Sequence, residues 1–302
     1  ARCSPRPGIV LVDDAHWLDA ESRGVLNHLV EPMAGRAMLL LLTCRPSRGG
    51  VGIEPAQAAH IALGPLDTAA AAALCDSLVG GGSGNAQLRD RLVAHTGGVP
   101  LFLEEVVRRL ADAGALSGEA GRYVPVGAVE VLGIPPTVQG VIAARIDSLP
   151  KQTGEILQMA AVLGRHLQAS DLQALAGLKA GALQNHLQEL QQAALLTIAD
   201  GDRTRDLAFA HDLVHEVAYA GMVRDRRRAL HARAYDRLGA IYGEAAPEHA
   251  AMFYRHASAA ARWLPAARHA RAAAARSIEA SAYRQAARHY EDALQALAHL
   301  DR

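Results

Sequence analysis

The sequence predicts an α/β layer that gives way to an all-α remainder, and three observations carry that expectation. Residues 8–12 (GIVLV) and 38–43 (MLLLLT) are short, continuous apolar runs, the pattern of parallel strands buried on both faces. Between them, Leu18, Val25, Leu26, Leu29, Val30 and Met33 recur at helical spacing. Beyond about residue 223 the chain is Ala-rich and helical in pattern, with Pro247 and Pro265 interrupting it at spacings that suit antiparallel helix pairs.

Strand, helix and strand within about 35 residues make one βαβ unit with a right-handed crossover. HIALGPLD (60–67) reads as a further strand whose Asp67 N-caps an Ala-rich helix. GGGSG (80–84) breaks the chain, and a helix over 86–95 leads to TGGVP. There Pro100 precedes the helix LFLEEVVRRLADAG. Residues 117–136 are rich in Gly and Pro, hold the extended stretch RYVPV and end on the boundary signal IPPTV. Helices follow at 137–148, 151–164, 170–176 and 181–195, and LLTIADGDRTRDLAFAH sets two apolar runs around a polar loop, a β-hairpin. Three segments result: 1–116, a partial α/β core and its helices; 117–222, a linker and a helices-plus-hairpin domain; and 223–302, a helical region.

At 302 residues the chain has room for two or three domains. Its formal net charge of zero argues against a global basic field for nucleic acid or an acidic membrane. No apolar run reaches the roughly 18 residues of a membrane span. Cys3, Cys44 and Cys75 are scattered, without a CxxC pair, and read as cytosolic thiols. A cytoplasmic protein is the expectation. The start, ARCSPRPG, has neither an initiator Met nor a signal-peptide core, and the sequence reads as a piece of a longer chain.

GIVLV runs straight into Asp13 and Asp14. A strand ending in two acids sets carboxylates at the carboxyl edge of a parallel sheet, where α/β proteins bind ligands. In a magnesium-nucleotide hydrolase the first acid holds the ion, usually through water, and the second orients or deprotonates the attacking water. Asp13 and Asp14 fit these roles by position, although Asp is one methylene shorter than the Glu common at the second. The competing reading is a strand ending in a helix N-cap, a role that Asp19 and Ser22 also suit. The next strand shifts the balance. LLLLTCRP ends in polar Thr43 and cationic Arg45 at the same edge, and an Arg there can sense a terminal phosphate. The plainer role for Arg45 is a surface cation paired with an acid.

Seven blocks (IVLVDDAHWLDAES, LLLLTCRP, GPLD, TGGVPLFLEEVVRRL, IPPTVQGVIAARIDSLP, AAVLGR and LAFAHDLVHEVAY) follow one another in an order and spacing that resembles the AAA-like signal-transducing ATPases of bacteria, grouped with the STAND NTPases. Such proteins occur in large LuxR-type transcription regulators and beside adenylate/guanylate cyclase modules. The resemblance covers nearly all of residues 8–300. It implies a partial P-loop NTPase sheet, a helical lid, a winged helix and the start of a TPR-like repeat array. It further implies that Asp13 and Asp14 form a Walker B pair, with Asp13 holding Mg2+ through water, and that Arg45, with Thr43 before it, is sensor 1. Gly98 and Pro100 match the GxP element of the lid, whose Pro packs on adenine. His211 sits where a winged-helix histidine can meet the ADP phosphates. Local readings stand beside the last two: Gly-Gly-Val-Pro is also a plain turn before a helix, and a His that begins a helix after a hairpin can be a capping or packed residue.

The cofactor implied is ATP or ADP with Mg2+ in the full-length protein. One departure matters most: no GxxxxGK[ST] loop occurs in the 302 residues, and the glycines of GGVGIEP and LVGGGSGN both follow the Walker B strand. These residues alone are therefore expected to bind nucleotide weakly and not to hydrolyse it.

GALQNHLQELQQAALL carries Gln184, Asn185, Gln188, Glu189, Gln191 and Gln192 but no cation, which makes it a poor DNA reader. Arg203 and Arg205 are offset by Asp202 and Asp206, and the cluster Arg224, Arg226, Arg227, Arg228 lacks aromatic stacking partners. HDLVH places His211 and His215 one helical turn apart, but Asp212 stands where a zincin has Glu. In AYRQAARHYEDALQAL, Tyr283, Ala286, Tyr290, Ala293 and Leu294 match the second helix of a tetratricopeptide repeat, with an ordinary Ala-rich bundle as the alternative. The function expected is a nucleotide switch controlling an attached LuxR-type or cyclase output, with protein partners on the C-terminal helices. A nucleotide-incompetent interaction module is the alternative.

Overall fold

The computed structural model describes residues 7–33, 35–44, 59–81, 85–126, 135–198, 206–244 and 246–300. The fold is mostly helical, with short two- and three-stranded sheets. Packing separates two compact units, Ala1–Ala62 with Tyr242–Arg302, and Leu63–Ile241. No helix among the described residues is long and apolar enough to cross a membrane.

In the first unit, β1 (Gly8–Val12) and β2 (Met38–Leu42) pair in parallel, with Gly8 opposite Met38 and Val12 opposite Leu42. The connecting helix α1 (Ala20–Met33) packs against β2. The apolar runs predicted strands covered on both faces. Instead Ile9, Leu11, Leu39 and Leu41 stand 73%, 60%, 54% and 48% exposed, while Val10, Val12, Leu40 and Leu42 are half-buried. An apolar run reports the capacity to be buried, and among the described residues two strands beneath one helix have cover for only one face.

The same unit holds α11 (Ala250–Ala259), α12 (Trp263–Glu279) and α13 (Tyr283–Ala298), packed in sequence. Buried alanines, among them Ala266, Ala270, Ala274 and Ala286, let the helices approach closely. Pro265 does not interrupt this region; it lies in the first turn of α12, where a missing N–H costs nothing. The breaks fall at Ala261 and Ser281, with φ of 56° and 59°. Each closes a turn in which the next amide reaches back to an early carbonyl, Arg262 to Ala257 at 2.8 Å and Ala282 to Ser277 at 2.7 Å. With neither Gly nor Pro at these corners, local sequence gave no sign of them. Helix α13 also packs on α1, where the Glu21 carboxylate accepts the Arg284 N–H at 3.0 Å. An acid at a helix N-terminus is favourable there.

The second unit opens with α2 (Thr68–Val79), α3 (Ala86–Thr96) and α4 (Pro100–Asp112). Their core includes Cys75, Val79, Leu88, Leu92, Leu103 and Val106. Burial pushes the Cys75 thiol up to about 11, so this cysteine packs and does not react. Asp67 caps α2 as expected, accepting the Ala70 N–H at 2.8 Å. The strand expected over 60–67 does not form: Ile61 and Leu63 are 81% and 92% exposed, and the residues before Asp67 run as irregular chain. A short antiparallel pair, β3 (Leu116–Ser117) and β4 (Val124–Pro125), takes up RYVPV. Then come α5 (Val138–Asp147), α6 (Lys151–Leu163), β5 (His166–Gln168), α7 (Ala169–Ala176) and α8 (Ala180–Gln192). β6 (Leu196–Ile198) and β7 (Asp206–Phe209) form the hairpin, giving an antiparallel sheet in the order β5-β7-β6. The hairpin loop with Arg203 and Arg205 lies outside the described residues. α9 (Asp212–Ala220) and α10 (Arg224–Tyr242) follow.

Glu105 on α4 and Arg145 on α5 form an ion pair at 2.5 Å, each side chain 5% exposed. Burial lowers the pKa of Arg145 from its usual value, with Glu105 opposing that shift. Removing one partner leaves the other as an uncompensated buried charge. Glu105→Ala should therefore cost about 3–5 kcal/mol, read as a lower urea midpoint. Glu105→Leu combined with Arg145→Met should cost far less.

His269, packed on Phe253 with ring centroids 5.2 Å apart, gives a second expectation. Burial lowers its pKa below the usual 6.5, with Glu244 opposing. The unfolded chain takes up this proton near its ordinary pKa while the folded chain resists it. The group's contribution is thus complete above the ordinary value and is lost as pH falls through the lowered one. Thermal melts from about pH 7.5 down to about pH 5 should show an acid loss that His269→Gln reduces.

Candidate functional site

The carboxyl ends of β1 and β2 bring Asp13, Asp14 and Thr43 together. Because the strands are parallel and in register, Val12 and Leu42 end side by side and the next residues share one edge. The Thr43 hydroxyl donates to Asp13 Oδ1 and accepts the Asp14 N–H at 2.8 Å. A hydroxyl can hold both bonds at once, being donor and acceptor. Backbone bonds lock the edge further: Thr43 N–H to Val12 O at 3.0 Å, and Ala15 N–H to Thr43 O at 2.7 Å.

Asp14 takes φ 52°, ψ 43°, a left-handed conformation that Asp tolerates better than most residues. It turns the chain into a short 3-10 segment, Ala15–Trp17, and His16 Nδ1 lies 3.9 Å from Asp14 Oδ1. The capping role that competed for these acids belongs to Asp19. Its Oδ1 accepts the Ser22 N–H at 2.7 Å, and that bond, first among its causes, lowers the Asp19 pKa. Asp13 and Thr43 are exposed, and Asp14 is half-buried. Carboxylate and hydroxyl oxygens are the hard donors that Mg2+ accepts while keeping several waters, so the donor set at this edge fits that ion. Arg45 lies outside the described residues.

Gly98 and Pro100 belong to the second unit. Gly97, with φ 58°, closes α3, and its N–H bonds Val93 O at 3.1 Å. Gly98 has φ 75°, and a Cβ there would lie 2.2 Å from Leu66 O. The Leu66 N–H in turn donates to Gly98 O at 2.8 Å. Pro100 begins α4, where its fixed φ suits the first turn. Gly97, Gly98, Leu66, Asp67, Thr68 and Asp90 border an open cleft of about 540 Å³. The turn is thus pinned by backbone contact, leaving a concavity beside Gly98.

His211 is exposed and caps α9, its Nδ1 accepting the Leu213 N–H at 3.2 Å. That is the capping role open to it from the sequence. His215 is engaged elsewhere: Nε2 donates to Ala161 O at 3.1 Å, and the ring packs edge-on to Phe209 at 5.0 Å. The two histidines of HDLVH therefore serve a cap and a packing contact. On α8, Glu189 accepts from the hydroxyl of buried Thr153 on α6, which ties that helix into its own domain. The shared role of Thr43 was visible in sequence only as a polar residue ending a strand. His16 was missed altogether, since a histidine two residues past an acid carries no signal of its own.

No protein-family model matches the chain. It is 29% identical over 265 residues to an uncharacterized protein of Rhizobium meliloti (strain 1021), covering 82% of this chain and 24% of that protein. Among solved structures it is similar to a signal transduction ATPase with numerous domains (STAND) that carries a tetratricopeptide repeat sensor, from Pyrococcus horikoshii. That likeness has a TM-score of 0.49 at 14% identity, over 94% of this chain and 43% of the other. At that level it assigns neither fold nor function. The chain spans about a quarter of the length of its curated relative.

The two glycines of the turn should respond differently to substitution. Gly97→Ala meets open space and only the left-handed backbone, a cost of about 1–2 kcal/mol. Gly98→Ala meets the same backbone cost and the Leu66 carbonyl, and should lower the urea midpoint several times further.

Proposed function

We propose that this chain is a fragment of an ATP-dependent signalling regulator, in which exchange of ADP for ATP controls an output domain. The acid edge of β1 and β2 is then the magnesium end of its nucleotide site. The observation that carries this reading is the Thr43 hydroxyl, which joins Asp13 to the backbone of Asp14 at the carboxyl edge of a parallel sheet while Asp19 caps α1.

In this reading Asp13 would hold Mg2+ and Asp14 would orient a water toward the terminal phosphate of a bound nucleotide. Magnesium, when bound, offsets negative charge on the phosphates. Thr43 fixes the Asp13 carboxylate, and Arg45 senses the terminal phosphate. Gly98 and Pro100 form the lid turn toward adenine, and His211, from a winged helix made of α6–α8 and β5–β7, answers to the ADP phosphates. The C-terminal helices begin a TPR-like array for protein partners, and the output, of LuxR or cyclase type, belongs to the longer protein. Support for these finer roles comes from the order of the sequence blocks and, at the acid edge, from local geometry. With no GK[ST] loop in the 302 residues, the phosphate cradle must come from elsewhere in the full-length protein.

A second reading, a nucleotide-independent interaction module, is favoured by one observation. Helix α13 leaves Tyr283 and Leu294 67% and 66% exposed, apolar surface of the kind protein partners cover.

Calorimetric titration of Mg-ATP and ADP into the full-length protein separates the two. The switch reading expects magnesium-dependent ATP binding that Asp13→Ala weakens on the order of tenfold or more, with loss of turnover. Binding that ignores Asp13→Ala overturns the assignment of the edge. Absence of nucleotide binding leaves the interaction module.

A further inference from the structure

We propose that the outer face of α13 is the interface of a homodimer, in which a second copy of this chain lays its own α13 antiparallel against the first. Helix α13 carries two apolar stripes. Ala286, Ala293 and Ala296 are buried, and α13 packs on α12. Tyr283, Tyr290, Leu294 and Leu297 are exposed, and so is Ala287 between them. These five recur at spacings of four, three, four and three residues, the a and d positions of two heptads. One stripe is enough for packing on α12. The second has the period that another helix fits.

The seam points to a second copy because it complements itself when reversed. About a two-fold axis between Ala287 and Tyr290, Tyr283 faces Leu294 of the other copy and Ala287 faces its Tyr290. Each layer then sets a tyrosine against a smaller side chain, as close packing requires. The polar flank reverses too. Arg284 and Glu291 are exposed at the e positions beside the seam. These positions meet across an antiparallel pair, so the arginine of each copy faces the glutamate of the other. A parallel pair would stack tyrosine on tyrosine, leave alanine opposite alanine and separate the two charges. Opposite charges at the two ends of one seam therefore select its reversed copy. Packing on α12 and the bond from the Arg284 N–H to Glu21 already order α13, which lowers the entropic cost of association. Two heptads make a short seam, so the dimer belongs at the weak end of specific interfaces. It needs neither nucleotide nor the acid edge, and stands apart from the switch reading.

Sedimentation velocity of the 302-residue protein, from about 1 μM to about 100 μM, tests this. The sedimentation coefficient should rise with concentration from monomer to dimer. Leu294→Glu, which sets a carboxylate in the seam, should weaken association about tenfold or more. Glu291→Arg places arginine against arginine and should weaken it about threefold. Adding Arg284→Glu to Glu291→Arg exchanges the signs of the pair and should restore the parent affinity, a rescue that a general loss of structure does not give. The three positions are exposed, so the variants should keep the parent circular dichroism. If Leu294→Glu does not fold, the charge exchange carries the test. In the full-length protein Leu294→Glu should weaken self-association by the same factor. Four results overturn the proposal. They are a monomer across the whole range, a dimer indifferent to Leu294→Glu and Glu291→Arg, or a charge exchange that does not restore affinity. The fourth is a full-length protein that stays monomeric while the 302-residue protein dimerises, since another helix of the longer chain then covers the seam.

Discussion

Arg145 is 5% exposed, and it holds the second unit together at the point where two groups of helices meet. One guanidinium nitrogen pairs with Glu105 on α4; another donates to Ala194 O, in the turn between α8 and β6, at 3.4 Å. A charge this deep has few acceptable positions, so the pair restricts how α5 can lie against α4 and how the α6–α8 segment approaches them. Such a pair adds little net stability over an apolar filling, because both ions must leave water. What it contributes is selection: a register shift of α5 along α4 would strand both charges. The Gly97–Gly98 turn sets the start of α4, and with it the height at which Glu105 is presented.

At the acid edge the controlling group is smaller. Two parallel strands in register bring three polar residues within reach, and one hydroxyl orders them. The left-handed backbone at Asp14 is held by that hydroxyl and by the Ala15–Thr43 bond. Asp19 takes the helix cap of α1, while Asp13 and Asp14 meet at the Thr43 hydroxyl. Among the described residues Ile9, Leu11, Leu39 and Leu41 of the same sheet stay exposed; a parallel sheet reaches burial on both faces only when helices lie on each.

Legibility in the sequence tracked how local the cause was. The helices from 137 to 192 appear close to where periodicity and caps placed them, because a Thr or Asp cap and an apolar stripe act within one or two turns. Asp67 and Thr137 cap as their types suggest. HIALGPLD failed for the opposite reason: strand character needs a partner, and the neighbour that residue 66 finds is a single glycine carbonyl. The corners at Ala261 and Ser281 were invisible because packing between successive helices, not a glycine, holds the left-handed residue in place.

The acids themselves, their position at the end of an apolar run, the glycines of the turn before α4 and the absence of Lys and Arg on α8 were all fixed by residue identity. Tertiary structure alone decided which acid caps a helix, that Thr43 joins Asp13 to Asp14, that Gly98 has no room for a side chain and that Glu105 finds Arg145. Each of these depends on residues far apart in sequence meeting at hydrogen-bond range. One-dimensional spacing describes what a segment can do, and only packing determines which of those possibilities is used.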